Sequence, residues 1–275
     1  MRTTRPLLVL PWHIFDRLPE DLGTDSAELA RATVVDGRPG SSGLPWRDLI
    51  DLYRPLADAV ARAAGEGGRP ITTVSGDCIA CLGVLCGLQR AGVQPALVWF
   101  DAHGDFHTEA TTASGYLGGL PLAKAVGRGD LTLPQGLGLV PLPEAAVVLV
   151  DGRDLDPPEA EALDRSDVRH VTVGDVTPDL LGEGGTGALV VHVDLDVVDS
   201  GDLAGLRFPA PGGPHLERVM EAVCRLLATG QVAALDVGVT WDPERVDRAR
   251  ATAVLDTVLH AVHPTVVAQL GVWCE

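Results

Sequence analysis

Acidic and imidazole side chains alternate along one stretch of the sequence. Asp101, His103 and Asp105 are spaced two residues apart, directly after the apolar run Ala96–Phe100, and His107 continues the spacing. In extended backbone alternate side chains point to the same side, so carboxylate, imidazole and carboxylate face one region. This combination predicts ligands for a divalent metal ion.

A second segment repeats the arrangement. His192, Asp194 and Asp196 alternate at the end of the apolar run Ala188–Val193. Neighbouring carboxylates repel each other, and two metal ions bridged by shared carboxylates would compensate their charge. One such pair alone would favour solvated loop acids. Two alternating clusters, each at the end of an apolar run, favour a binuclear metal site.

Cys78, in Ser75-Gly-Asp-Cys78, is a third candidate position. Its thiol has either a lowered pKa at a helix N-terminus or a purely structural, buried role. Cys78 and Cys81 have Cys-x-x-Cys spacing, but small buried residues opening a helix are favoured over a redox pair, because no thioredoxin-like context surrounds them.

Short apolar runs typical of buried strands alternate with helical stretches. This alternation predicts an α/β fold with a mostly parallel sheet, in which ligands bind beyond the carboxyl ends of the strands, where the acidic motifs fall. Two glycine-rich loops, Val34–Leu44 and Leu203–Gly213, are candidates to line a site. The strands are predicted at 7–10, 71–75, 96–100, 146–150, 170–173, 188–193 and 232–237, and the helices at 46–64, 79–91, 119–126, 158–164, 214–228 and 243–261.

The bulk composition limits the classes of partner. The 275 residues carry a formal net charge of −17, which argues against nucleic acid or an anionic membrane surface as partner. No apolar run approaches the roughly 20 residues of a membrane span. Five cysteines without a disulfide pattern suggest a reducing, cytoplasmic setting.

The motifs resemble those of the ureohydrolase family, which comprises arginases, agmatinases and their relatives. Members carry Gly-Gly-Asp-His, then Asp-Ala-His-x-Asp, then Asp-x-Asp, each at a strand end, and the order matches here from about Ser75 onward. The segments 111–121 and 152–157 also look like arginase substrate loops. The resemblance implies a single catalytic domain over residues 1–275, with a three-layer α-β-α architecture around the sheet. The first ~70 residues match poorly.

The resemblance further implies two divalent metal ions, with manganese the family expectation, and a bridging hydroxide that attacks a guanidino carbon. Asp101 and Asp194 would bridge the ions, and Asp105 would orient the hydroxide and pass its proton to the leaving nitrogen. One ion would bind Cys78, Asp101, Asp105 and Asp194; the other would bind His103, Asp101, Asp194 and Asp196.

Several positions depart from the family pattern. Cys78 stands where a histidine ligand is usual, and a thiolate suits zinc or iron better than manganese. The arginase histidine used in proton shuttling falls at Gly118. His107 falls at an asparagine that contacts the substrate carboxylate, so it could bind substrate or compensate in catalysis. His192 replaces a serine, and either compensation or packing would explain it.

Thr240 falls at the glutamate that grips the guanidinium. A hydroxyl cannot balance a buried guanidinium, so the site predicts a less basic guanidine, and Thr240 could bond the added hydroxyl of an N-hydroxyguanidine. Ser114 and Asp156 match positions for the carboxylate and ammonium of an amino acid, with His107 beside them. The pattern is similar to the hydroxyarginine-cleaving branch of the family, which serves antibiotic biosynthesis. It implies hydrolysis of Nω-hydroxy-L-arginine to L-ornithine and hydroxyurea.

Three alternatives stay open. One is an ordinary arginase or agmatinase with an unusual ligand, and another is a degenerate, non-catalytic member that acts as a binding protein. The third is a binding or regulatory module that uses the acidic surface, for which the sequence offers no specific motif. Family members commonly form homo-oligomers, although no residue of this sequence defines a subunit interface.

Overall fold

Ten strands and seven α-helices make up the described part of the protein. The structure is a computed structural model that describes residues 5–180 and 187–262. The strands are β1 (Leu7–Leu10), β2 (Trp12–His13), β3 (Asp16–Arg17), β4 (Thr33–Val34), β5 (Ile71–Ser75), β6 (Ala96–Asp101), β7 (Val147–Asp151), β8 (Arg169–Val171), β9 (Leu189–Asp194) and β10 (Val232–Gly238). The helices are α1 (Pro45–Gly65), α2 (Ala80–Arg90), α3 (Pro121–Ala125), α4 (Thr132–Leu137), α5 (Pro157–Asp164), α6 (Leu216–Leu227) and α7 (Arg248–Val262).

Eight of these strands form one sheet in the order β4-β1-β5-β10-β9-β6-β7-β8, and every pair in it is parallel. β2 and β3 form a separate antiparallel hairpin. Parallel neighbours end at the same edge, so the loops after β5, β10, β9, β6 and β7 meet there. These five strands are consecutive in the sheet, and all the predicted acidic motifs follow them.

Apolar side chains cover both faces of the sheet, because side chains alternate between faces along each strand. On β6, Leu97 and Trp99 belong to the cluster that includes α1 and α2, whereas Val98 and Phe100 belong to the cluster that includes α6 and α7. A strand buried on both faces reads as a continuous apolar run, which explains the pattern in the sequence. Two helical layers therefore enclose the sheet, as the three-layer prediction requires.

The elements agree with the predicted positions apart from local differences. The predicted helix at 119–126 is a 3₁₀ turn, Leu117–Gly119, followed by the five-residue helix α3. The predicted helix at 243–261 begins only at Arg248, because the chain first forms a turn after Asp242. The short helix α4 was not predicted, and neither were the short strands β2, β3 and β4.

The two glycine-rich loops have different positions. Ser42, in the first loop, donates its hydroxyl and its backbone N–H to Asp48 of α1, so this loop is tied to the first turn of that helix. None of its residues lines the cavity of the candidate site. The second loop reaches the site through Phe208. None of the described helices has the length and hydropathy needed to cross a bilayer.

Candidate active site

The carboxyl edge of the sheet gathers the predicted ligands into two overlapping groups. Cys78, Asp101 and Asp194 form the first, with ligand atoms within 4.8 Å of one another, and all three residues are buried. Cys78 follows β5, whereas Asp101 and Asp194 end β6 and β9. The Cys78 Sγ lies 2.7 Å from an Asp194 carboxylate oxygen.

The second group consists of Asp101, His103 and Asp196. The His103 Nδ1 lies 3.3 Å from Asp101 Oδ1 and 3.1 Å from Asp196 Oδ2. Asp101 belongs to both groups, so it is placed to bridge two ions. The structure thus brings together three of the four residues predicted for each ion.

Asp105 belongs to neither of these two groups, although it was predicted as a ligand. Its backbone has a left-handed conformation, with φ of 48°, which is uncommon outside glycine. The Asp105 Oδ2 is buried and has no hydrogen-bond partner in the structure. A buried carboxylate oxygen without a partner is costly, and it is the kind of group that a cation or water satisfies.

The electrostatics of the cluster favour bound cations. Burial, followed by repulsion from Asp101, raises the pKa of Asp194 to about 6. Burial and neighbouring carboxylates also raise the pKa of Asp105 and Asp196 well above the ordinary value. Burial opposes the charged form of His103, but its bonds to Asp101 and Asp196 outweigh this and raise its pKa to about 12. This excess of buried negative charge, with the unpartnered Asp105 oxygen, fits two divalent ions.

Cys78 has the properties of a shielded residue rather than of an activated thiol. Burial, followed by the charge of Asp194, raises its pKa well above the ordinary value, so the lowered pKa considered from the sequence is wrong for this structure. A thiolate would need a bound cation to form here. Cys78 and Cys81 are both free and buried, so they do not form a disulfide with each other.

Hydrogen bonds hold the ligand carboxylates in place. The Trp99 indole N–H donates to Asp101 over 3.0 Å, and the Thr240 hydroxyl donates to Asp194 over 2.5 Å. Asp77, next to Cys78, accepts from Tyr53 and from the Ile14 backbone N–H. Thr240 therefore contacts a predicted ligand as well as the pocket.

His192 lies behind the ligands and does not line the pocket. Its side chain is fully buried, its Nδ1 lies 2.8 Å from Asp236, and its ring stacks on Trp99 with centroids 3.8 Å apart. Because Trp99 in turn holds Asp101, His192 packs against the support of a predicted ligand. Packing is thus the interpretation that this geometry favours for His192.

A cavity of about 400 Å³ opens above the cluster. His107, Ser114 and Asp156, the residues predicted to bind the amino-acid end of a substrate, all line it, and the His107 Nε2 lies 3.3 Å from Asp156. The cavity is also lined by residues that the sequence reasoning did not select, namely Tyr116, Asp154, Glu159 and Phe208.

Arg153 links two loops at the carboxyl edge of the sheet. Its guanidinium binds Asp151 and donates to the carbonyl oxygens of Val197 and Ala210 over 3.0 and 2.8 Å. It thereby ties the loop after β7 to the loop that carries Phe208. Glu159 accepts the Phe106 backbone N–H over 2.8 Å, which holds the loop after β6 against α5. The contacts of Arg153 and Glu159 join segments that are distant in the sequence, so sequence reasoning could not predict them.

The parallel sheet with an acid-rich cavity at its carboxyl edge defines an arginase-like α/β protein. The model of the arginase family matches residues 20–262. An arginase of Bacillus caldovelox superposes with a TM-score of 0.79 at 21% identity, covering 96% of this chain and 100% of that one. A Bacillus subtilis arginase gives 0.78 at 24% identity, covering 98% and 100%.

Two relatives are similar to this chain in sequence. An N(omega)-hydroxy-L-arginine amidinohydrolase of Streptomyces lavendulae is 31% identical over 223 residues, which cover 78% of this chain and 79% of the relative. An arginase of Eremothecium gossypii is 32% identical over 90% of this chain, and the match spans 64% of that protein's length. The chain belongs to the arginase family.

Proposed function

We propose that the protein is a binuclear-metal amidinohydrolase that cleaves Nω-hydroxy-L-arginine to L-ornithine and hydroxyurea. The position of Thr240 is the observation that supports this choice of substrate. Among the described residues, the segment after β10 contributes this hydroxyl, and no carboxylate, to the cavity. The hydroxyarginine-cleaving relative from Streptomyces lavendulae supports the same choice. Hydroxyurea would then serve antibiotic biosynthesis.

The charge of the substrate explains why this site would favour hydroxyarginine over arginine. A guanidinium buried without a partner carboxylate pays a large desolvation cost. The electron-withdrawing oxygen of an N-hydroxyguanidine lowers its basicity, so the substrate can enter as a neutral group. The cavity side near Thr240 offers a hydroxyl that already donates to Asp194, and its oxygen can still accept a hydrogen bond.

The proposed ligands are those predicted from the sequence: Cys78, Asp101, Asp105 and Asp194 for one ion, and His103, Asp101, Asp194 and Asp196 for the other. Manganese is the family expectation, while a Cys78 thiolate favours a softer ion such as zinc or iron. Bound there, two cations would lower the pKa of water and stabilise the tetrahedral intermediate that forms when the water oxygen adds to the guanidino carbon.

Side chains of the protein would bind the substrate and transfer the proton. In the hydrolysis a water oxygen bonds to the guanidino carbon, and the bond from that carbon to the ornithine nitrogen breaks. Asp105, whose Oδ2 is buried and has no hydrogen-bond partner in the structure, would take a proton from water and return it to the leaving nitrogen. His107, Ser114 and Asp156 would hold the α-carboxylate and α-ammonium at the far side of the cavity.

Steady-state kinetics on Nω-hydroxy-L-arginine, L-arginine and agmatine test this proposal. We expect kcat/KM at least tenfold higher for hydroxyarginine than for arginine, and lowest for agmatine, which lacks the carboxylate. Preference for arginine or agmatine would establish an ordinary urea-releasing enzyme. Absence of turnover with two bound metal ions would establish a non-catalytic binding protein.

The single-domain organisation over residues 1–275, a cytoplasmic location and a homo-oligomeric state remain part of the proposal. Cooperative unfolding in one transition tests the first, and light scattering coupled to size-exclusion chromatography tests the last. A monomer at micromolar concentration would contradict the family expectation.

A further inference from the structure

The ring of Tyr116 occupies the space beside Gly118. A Cβ atom at Gly118 would lie 2.4 to 2.5 Å from the Tyr116 Cε1, Cζ and hydroxyl oxygen, which is closer than any real contact. The neighbouring Gly119 has open space around the same position. Gly118 is therefore the residue that lets the Tyr116 phenol lie where it does.

The N-terminal hairpin holds the Tyr116 hydroxyl. The hydroxyl oxygen lies 3.4 Å from the Nε2 of His13, which is buried at 6% exposure. The Nδ1 of His13 lies 2.9 Å from the Gly76 carbonyl oxygen. The hairpin is fixed to the loop after β5 by two backbone donors, from Gly76 to Trp12 and from Ile14 to Asp77.

These contacts set the direction of the hydrogen bonds. A carbonyl oxygen only accepts, so the His13 Nδ1 must carry the hydrogen. In the neutral ring the Nε2 is then an acceptor, and the Tyr116 hydroxyl must donate to it. With its hydrogen turned toward His13, the Tyr116 oxygen presents lone pairs to its other neighbours.

Those neighbours include the predicted metal ligands Cys78, Asp105 and Asp194, beside which the proposed function puts the guanidine group. Tyr116 lines the cavity and packs against Phe208 with ring centroids 4.6 Å apart. Burial, followed by the nearby Cys78 and carboxylates such as Asp105, raises the pKa of Tyr116 far above its ordinary value, so the phenol stays neutral. The neutral phenol oxygen can accept a hydrogen bond from an N–O–H group, but it supplies no negative charge to balance a buried guanidinium.

We propose that Tyr116 is a specificity-determining residue whose oxygen accepts a hydrogen bond from the distal N–O–H of a hydroxyguanidine, and that His13 is its positioning residue. This inference rests on the proposed function and identifies the group that recognises the hydroxyl of the substrate. It also gives the poorly matching N-terminal segment a role at the site.

Kinetics on matched variants test the contact. Tyr116→Phe keeps the ring and removes the oxygen, so kcat/KM for hydroxyarginine falls about tenfold, mainly through KM, as expected for one lost hydrogen bond. For arginine it changes less than threefold. Gly118→Ala displaces the ring and reproduces this selective loss.

Two His13 variants separate positioning from folding. His13→Leu lowers hydroxyarginine preference as Tyr116→Phe does, while His13→Gln, whose amide oxygen can accept from Tyr116, retains most of it. Imidazole ¹⁵N shifts of the protein without substrate, assigned with His13→Gln, report a hydrogen on Nδ1 of His13. A hydrogen on Nε2, whether alone or together with one on Nδ1, would overturn the proposed direction of the bonds.

The two levels of the proposal fail differently. If wild-type protein prefers arginine, the proposed function is wrong whatever Tyr116 does. If wild-type protein prefers hydroxyarginine and Tyr116→Phe keeps the same preference ratio, the proposed function stands and the inference about Tyr116 is overturned.

Discussion

Asp236 is the hydrogen-bond centre of a buried cluster behind the candidate metal site, and its removal gives a sharp stability prediction. Its carboxylate accepts from the Thr73 hydroxyl and from the His192 ring, and the Cys81 thiol also bonds to it. Asp236, His192 and Thr73 are all at most 1% exposed. Asp236→Ala would leave these donors without an acceptor and without access to water.

The expected cost follows from the number of orphaned donors. Each buried donor left unsatisfied costs about 1–3 kcal/mol, so losing the acceptor for Thr73 and His192 destabilises by about 2–6 kcal/mol. That is a large part of the ~5–15 kcal/mol that stabilises a typical domain. Thr73→Val removes one donor and keeps the shape, so its cost is only about 1 kcal/mol.

Urea unfolding followed by circular dichroism measures both variants. Asp236→Ala should lower the midpoint several times more than Thr73→Val does, and it should weaken metal retention because His192 packs on Trp99, which holds Asp101. An Asp236→Ala variant within 1 kcal/mol of wild type would refute the reasoning that this cluster is dry and tightly bonded.

Three further perturbations address the predicted ligands and an ion pair between the exposed Glu109 and the buried Lys124. Asp194→Ala should lower bound metal below two ions per chain and abolish turnover; unchanged activity would refute the ligand assignment. Cys78→His should retain metal and raise arginine hydrolysis, measured as urea release, whereas loss of folding would instead indicate a packing role. Glu109 binds the buried Lys124 over 2.5 Å; burial opposes its charged form, but the Lys124 bond outweighs this and lowers the pKa from 4.5. The ion pair therefore contributes about 1 kcal/mol to stability above pH 4.5, and this contribution is lost as the pH falls further. In urea unfolding, the stability lost on Glu109→Gln should therefore shrink as the pH falls. A loss that stays constant across this range would contradict the prediction.

The sequence predicts the central strands well because strands buried on both faces are continuous apolar runs. The predicted strands at 7–10 and 71–75 agree with β1 and β5 residue for residue. The helix α4 escaped prediction because Pro134 and Gly136 within it disfavour a helix. The edge strand β4 is only two residues long and exposed, so it carries no apolar pattern.

The same contrast holds at the site. Asp101, His103 and Asp194 could be predicted because each metal motif is contiguous and ends a strand. Tyr116 and Glu159 could not, because their roles depend on contacts between distant segments, such as the bond between Tyr116 and His13, 103 positions apart. The bond from Thr240 to Asp194 likewise arises only where the ends of β10 and β9 meet.

The central claim is that a metal-loaded site cleaves a hydroxyguanidine in preference to arginine. One competition measures it: equimolar Nω-hydroxy-L-arginine and L-arginine are incubated with protein whose metal content is determined on the same sample, and hydroxyurea and urea are quantified by mass spectrometry. The account predicts close to two divalent ions per chain and hydroxyurea as the dominant product. Urea as the dominant product from the same fully loaded sample would contradict it.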